Sequence, residues 1–180
     1  MLALLSAASA MLPGALDALA WRRTALDSGQ WERLLTAHVA HLGPHHLLFN
    51  LLGLLLITEL LLERWRGTAI VSLGLASAFG TSFLLWYGEP HLQWYAGLSG
   101  MLHGLWAGAA LSGWLQSRSR LHLGALAALA AKLVWLNPGT AAMMIGSEMP
   151  VVAVAHLYGA ASGLAWAILR RVWRRLRHLD

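Results

Sequence analysis

Cysteine is absent from the 180 residues, which excludes disulfides, thiol nucleophiles and thiolate metal sites. Charge is scarce as well: 12% of residues are charged, against roughly 25% in a typical soluble domain. The first apolar stretch, Met1–Ala20, lacks the basic leader of a secretory signal peptide. It therefore reads as a helix, weakened by Pro13, Gly14 and Asp17. No internal repeat or low-complexity tract interrupts the chain, and one domain over 1–180 accounts for its length.

What is abundant is apolar surface. Hydrophobic residues make up 58% of the chain and the mean hydropathy is +0.57. About 20 apolar residues cross a bilayer as a helix, and runs of that length follow one another with short polar gaps. The expected architecture is an all-α membrane protein, a bundle of six transmembrane helices near 2–20, 44–62, 68–87, 97–115, 121–137 and 151–170. A longer connection, 21–43, carries Trp31, Leu34, Leu35 and Val39 at helical spacing and is expected to lie along the interface.

The net charge of +5 does not call for nucleic acid, because the arginines sit at span ends and in the tail. Arg64 and Arg66 follow the second span, Arg118 and Arg120 the fourth, and Arg170, Arg171, Arg174, Arg175 and Arg177 the sixth. The gaps 88–96 and 138–150 carry no basic residue. The positive-inside rule then places both termini in the cytoplasm, with Arg22, Arg23 and Arg33 running against it. Several of the ten tryptophans, among them Trp21, Trp31, Trp65, Trp94 and Trp173, fall near span edges, where aromatic belts form.

Polar residues inside such spans are expensive and point to function. His46 and Asn50 open the second span, Ser99 the fourth and His156 the sixth. All three spans start on the outer side, so at 1.5 Å per residue each of these groups lies within roughly 10 Å of that surface. Their types suit a nucleophile (Ser99), a base (His156) and donors for an oxyanion (His46 and Asn50, on one helix face, with the Ser99 N–H). Small residues recur every four positions in the fourth span (Gly100, Gly104, Gly108) and the sixth (Ala155, Gly159, Gly163). If these stripes face each other, Ser99 and His156 come within reach.

Other readings of the polar residues exist. His38, His41, His45 and His46 have spacing that suits a metal, but no carboxylate lies near them in sequence. His103, one turn below Ser99, is a rival base or a packing histidine. Lys132 sits close enough to a span edge to snorkel, and a Ser–Lys pair is the less economical alternative. The loop 138–150, with Gly139, Gly146, Ser147 and Pro150, is placed to cover the site or simply to connect two spans.

Together the motifs resemble the rhomboid family of intramembrane serine proteases. His41, His46 and Asn50 match its second-span pattern; Gly97-Leu98-Ser99-Gly100 matches its nucleophile motif; His156, Gly159 and Gly163 match its sixth-span motif. Trp31 and Arg33 are similar to its first-loop Trp/Arg region, and Glu63 with Arg66 to a charged pair at the inner end of the second span. The resemblance covers about residues 31–165 and implies catalysis by Ser99 and His156, an oxyanion hole of His46, Asn50 and Ser99, support from Gly97, Gly100, His41, Gly159 and His103, and no metal or cofactor. It also implies a packed aromatic that orients the histidine, without identifying it. Size and the run Gly97-Leu98-Ser99-Gly100-Met101-Leu102-His103-Gly104 are similar to the bacterial rhombosortase branch. That resemblance implies an inner-membrane enzyme with a periplasmic-side site, cutting transmembrane substrates that bear C-terminal Gly-Gly sorting tails, with hydrolysis or transfer to an amine. A general rhomboid protease and a non-catalytic relative that binds transmembrane helices are the alternatives.

Overall fold

The computed structural model describes residues 1–62, 65–135 and 152–177. Those residues are mostly helical: α1 (Leu2–Met11), α2 (Ala15–Leu19), α3 (Arg23–Asp27), α4 (Arg33–Thr36), α5 (Pro44–Ile57, running on as a π-helical turn Thr58–Leu62), α6 (Gly67–Gly88), α7 (Ser99–Ser117), α8 (Arg120–Trp135) and α9 (Ala153–Leu176). Two short strands, β1 (Trp21–Arg22) and β2 (Trp94–Tyr95), pair antiparallel with Trp21 opposite Tyr95.

By length and composition, Pro44–Leu62 and Gly67–Gly88 can each cross a membrane, at a mean hydropathy of 1.7. Their outward faces carry Leu48, Phe49, Leu52, Leu55, Val71, Leu75 and Phe79, all exposed. The interior mixes leucines such as Leu73, Leu98 and Leu105 with small and hydroxyl-bearing residues: Ser77, Ala78, Thr81, Ser82, Ala107, Ala109 and Ala160 are buried as well. Helices that associate in lipid gain little from burying leucine, so close backbone approach is the economical interior. Serine and threonine can join that interior because their hydroxyls bond back to the helix: Ser77 Oγ donates to Leu73 O (2.7 Å) and Thr81 Oγ1 to Ser77 O (2.6 Å).

The expected first span, 2–20, is interrupted. Leu12 is extended (φ −93°, ψ 122°) ahead of Pro13, and Gly14 has a φ of +75°. A proline disfavours helix in the residue before it, and glycine accepts the left-handed turn that follows. The connection 21–43 also differs from a single interfacial helix. It folds as β1 and two short helices, with Leu34, Ala37, His38 and Ala40 buried and Trp31 and Leu35 outward.

The arginines that run against the charge rule are each engaged. Arg23 donates to Trp86 O (3.1 Å), in the last turn of α6, where carbonyls lack intrahelical partners, and to Glu89 O (2.8 Å) and Leu92 O (2.9 Å) just beyond it. Arg33 donates to Asp17 O and Ala20 O (2.9 and 2.7 Å), and Arg22 pairs with Asp17. At the opposite end of the molecule Arg171 donates to Leu115 O at 2.9 Å, which ties α9 to the last turn of α7.

Candidate active site

α7 and α9 meet along their small residues. A Cβ on Gly159 would strike the carbonyl oxygen of Gly100, and one on Gly163 that of Gly104. In the other direction, a Cβ on Gly104 would lie 2.8 Å from Gly159 O, and one on Gly108 2.9 Å from Gly163 O. The two stripes thus interlock, with backbone against backbone. At the upper end of this seam Ser99 opens α7, and His156 sits one turn into α9.

Ser99 Oγ and His156 Nε2 are 3.0 Å apart, at hydrogen-bond distance. His156 is buried, and among the described residues its Nδ1 has no partner, carboxylate or otherwise. The ring is held by stacking: His103 lies parallel to it, with centroids 4.1 Å apart and planes 14° apart. His103 Nδ1 is 2.7 Å from Ser99 O. A carbonyl can only accept, so Nδ1 carries the proton and Nε2 is left as a lone pair, buried and without a partner among the described residues. His103 therefore touches the serine's carbonyl and His156's face, and its hydrogen bond goes to the backbone rather than to the hydroxyl.

α5 supplies the second wall. Gly97 has a φ of +118°, and a Cβ there would overlap the His46 ring, so the imidazole rests directly on the backbone leading into Ser99. One turn on, Asn50 is 5% exposed and its Nδ2 has no partner among the described residues. An amide nitrogen buried without an acceptor is costly unless an anion or carbonyl arrives to accept its hydrogen bond. His41 packs edge-on against His46 (5.3 Å, 65°) and donates from Nδ1 to Val39 O at 3.0 Å.

Both His41 and His38 lie before α5, and burial holds each down to about 4 from the usual 6.5. They are neutral at physiological pH. His38 Nε2 donates to Ala78 O (2.9 Å), with Ser82 Oγ at 3.0 Å. Among the described residues no three histidines or carboxylates converge as metal ligands.

Of the residues singled out in the sequence, Ser99, His156, His103, Gly100 and Gly159 come together at the α7–α9 seam. His46, Gly97, Asn50 and His41 form the adjoining wall. Lys132 lies on α8, at an exposed position. The stretch 138–150 and Glu63 lie outside the described residues. Missed at the sequence level is Tyr95, whose hydroxyl donates to Gly97 O at 2.8 Å. Its place two residues before Gly97 is visible in the sequence, but its inward rotation depends on the pairing of β2 with β1.

The Rhomboid domain family matches this chain over residues 28–173, which includes every residue of the site. No curated protein matches the chain.

Proposed function

The chain belongs to the rhomboid family, whose members are integral membrane proteins and intramembrane serine proteases, and on that premise we propose that it is an intramembrane serine endopeptidase with Ser99 as nucleophile and His156 as base. The observation that carries the reading is the 3.0 Å approach of Ser99 Oγ to His156 Nε2. It occurs where the glycines of two helices bring backbone against backbone, and where His156 is buried.

In this scheme the Ser99 hydroxyl donates to His156 Nε2, the tautomer being the one with Nδ1 protonated. Attack of Oγ on a substrate carbonyl passes the proton to Nε2. The carbonyl oxygen becomes an oxyanion, facing Asn50 Nδ2, the His46 ring and the Ser99 N–H, which lacks an intrahelical partner in the first turn of α7. Collapse breaks the C–N bond, and His156 returns its proton to the leaving amine. Water, or an amine in a transfer reaction, then repeats the sequence on the acyl-enzyme. His103 holds the imidazole by its face, which serves the orienting role that a carboxylate plays in a triad.

A transmembrane substrate must unwind before its carbonyls are accessible, since a helix hydrogen-bonds its own backbone. Small or helix-breaking residues at the cut are favoured on that ground, as in the C-terminal Gly-Gly tails processed by the rhombosortase branch. We assign the chain to that branch, with six crossings (the first broken at Pro13), both termini cytoplasmic, and the site facing the periplasmic side of a bacterial inner membrane. No cofactor or metal is required by the scheme.

The test is labelling of the purified protein in detergent by a fluorophosphonate probe. Wild type is expected to label and Ser99→Ala is not. Labelling that survives the substitution removes Ser99 as nucleophile, and an unlabelled wild type favours a non-catalytic, helix-binding relative. The substrate assignment is tested by asking which membrane proteins keep their C-terminal tails when this protein is deleted. If Gly-Gly proteins are processed normally, a general rhomboid protease is the better description.

A further inference from the structure

Gly97, two residues before Ser99, is held through both its N–H and its carbonyl. Gly97 N–H donates to Ala37 O at 2.9 Å, and Gly97 O accepts from Tyr95 Oη at 2.8 Å. Glycine at a φ of +118° has the widest choice of backbone conformation of any residue. Loss of the clamp on its carbonyl removes one restraint on the Gly97–Leu98 peptide, which leads into the first residues of α7. Those residues carry both the Ser99 hydroxyl and the Ser99 N–H.

Tyr95 is well braced for this task. It is 2% exposed, its backbone is paired with Trp21, and the His38 ring meets its ring edge-on at 5.6 Å and 67°. His38 is itself fastened to α6 through Ala78 O. The chain of contacts therefore runs from α6 through His38 and Tyr95 to the carbonyl of Gly97. The tyrosine oxygen also adjoins the start of α7, since a Cβ on Gly100 would lie 2.8 Å from it. It faces the Ser99 side chain as well, and burial holds the phenol above its ordinary range. It keeps its proton, and with it the ability to donate, throughout the neutral range.

We propose that Tyr95 is a positioning residue of the reaction, whose hydroxyl clamps the Gly97 carbonyl and so keeps Ser99 in register with His156. The inference rests on Ser99 as the nucleophile, and its test separates the two claims. Wild type, Ser99→Ala and Tyr95→Phe are labelled with the fluorophosphonate over a range of probe concentrations and times. Tyr95→Phe keeps the ring and removes only the hydroxyl. It is expected to lower the maximal labelling rate about tenfold, with the half-saturating probe concentration unchanged and thermal unfolding within a few degrees of wild type. An equally fast Tyr95→Phe overturns the role of Tyr95 alone. An unlabelled wild type, or a labelled Ser99→Ala, overturns the nucleophile and takes this inference with it.

Should Tyr95→Phe fail to fold, a polyfluorinated tyrosine placed at 95 keeps the question answerable. Its phenol ionises at much lower pH, so the protein folds with the donor present in acid and loses the donor as pH rises. Labelling is expected to fall relative to wild type across that ionisation. A pH profile identical to wild type overturns the proposal, because a packing role is indifferent to the proton.

Discussion

His46 and Asn50 show how little a residue's identity says without its surroundings. On a surface helix an asparagine amide is solvated. At position 50 it is buried without a partner among the described residues, a cost of about 1–3 kcal/mol that the oxyanion of the proposed reaction would relieve. Asn50→Ala is therefore expected to fold normally and to slow cleavage by about a hundredfold, measured as turnover of a model transmembrane substrate. A protein that will not fold would make the pair interhelical glue instead. His156→Ala is expected to abolish cleavage, whereas His103→Phe, which keeps a flat ring against His156, retains more activity than His103→Ala. The reverse order would give His103 the proton-transfer role. His38 yields a prediction about pH. Its folded value near 4 lies below the unfolded 6.5, so below pH 6.5 the unfolded chain binds the proton first. The contribution is intact above pH 6.5 and is lost as pH falls toward 4, by about 3 kcal/mol at most. Thermal unfolding measured against pH should show that slope, to which His41 adds a like share, and His38→Gln should reduce it by about half. At this scale the candidate residues were visible in advance. Residue types and spacing alone singled out Ser99, His156, His46 and Asn50, because polar groups stand out in apolar segments. The partner of each side chain was not legible, because a rotamer's surroundings are not local.

At the level of elements, the glycine stripes of α7 and α9 were visible as a four-residue repeat, since that repeat returns to one face of any helix. That the two stripes face each other was a condition in the sequence reading, and the contacts of Gly159 with Gly100 and of Gly163 with Gly104 meet it. The interlock predicts that Gly159→Ala is poorly tolerated, although alanine is the better helix former. The new methyl would meet the Gly100 carbonyl, which is backbone and cannot swing aside. A loss of about 1–3 kcal/mol, read as a lower unfolding midpoint in detergent with weaker labelling at Ser99, is the expected outcome. Gly124→Ala is the control, since a methyl there meets nothing within 4 Å. Equal behaviour of the two would argue against the seam. The break in the first helix had its signals in Pro13 and Gly14, but hydropathy averages over such a pair and reads straight through it. The connection 21–43 deceived differently: its apolar spacing was helical, but Arg33 and Arg23 found carbonyls on neighbouring segments that outcompete a single long helix.

For the whole molecule, orientation is the decisive question, and the missing cysteine makes it simple to answer. A single cysteine introduced at Gln93, just before β2, is expected to react in intact cells with a maleimide that cannot cross membranes. One introduced at Gln116, near the far end of α7, is expected to react only after the membrane is opened. Both positions are exposed, so the opposite pattern would invert the proposed topology. The sequence by itself determined the class of protein and pointed to the candidate residues other than Tyr95. Hydropathy, charge placement and four-residue repeats are one-dimensional properties, and a bilayer or a neighbouring helix responds to them directly. Only the tertiary structure decided the contacts: the 3.0 Å meeting of Ser99 with His156, the parallel ring of His103, and the hydroxyl of Tyr95 on Gly97. Each depends on how far a helix or strand is turned about its own axis. That rotation is set by the packing of all its neighbours at once, and no segment of the chain carries it alone.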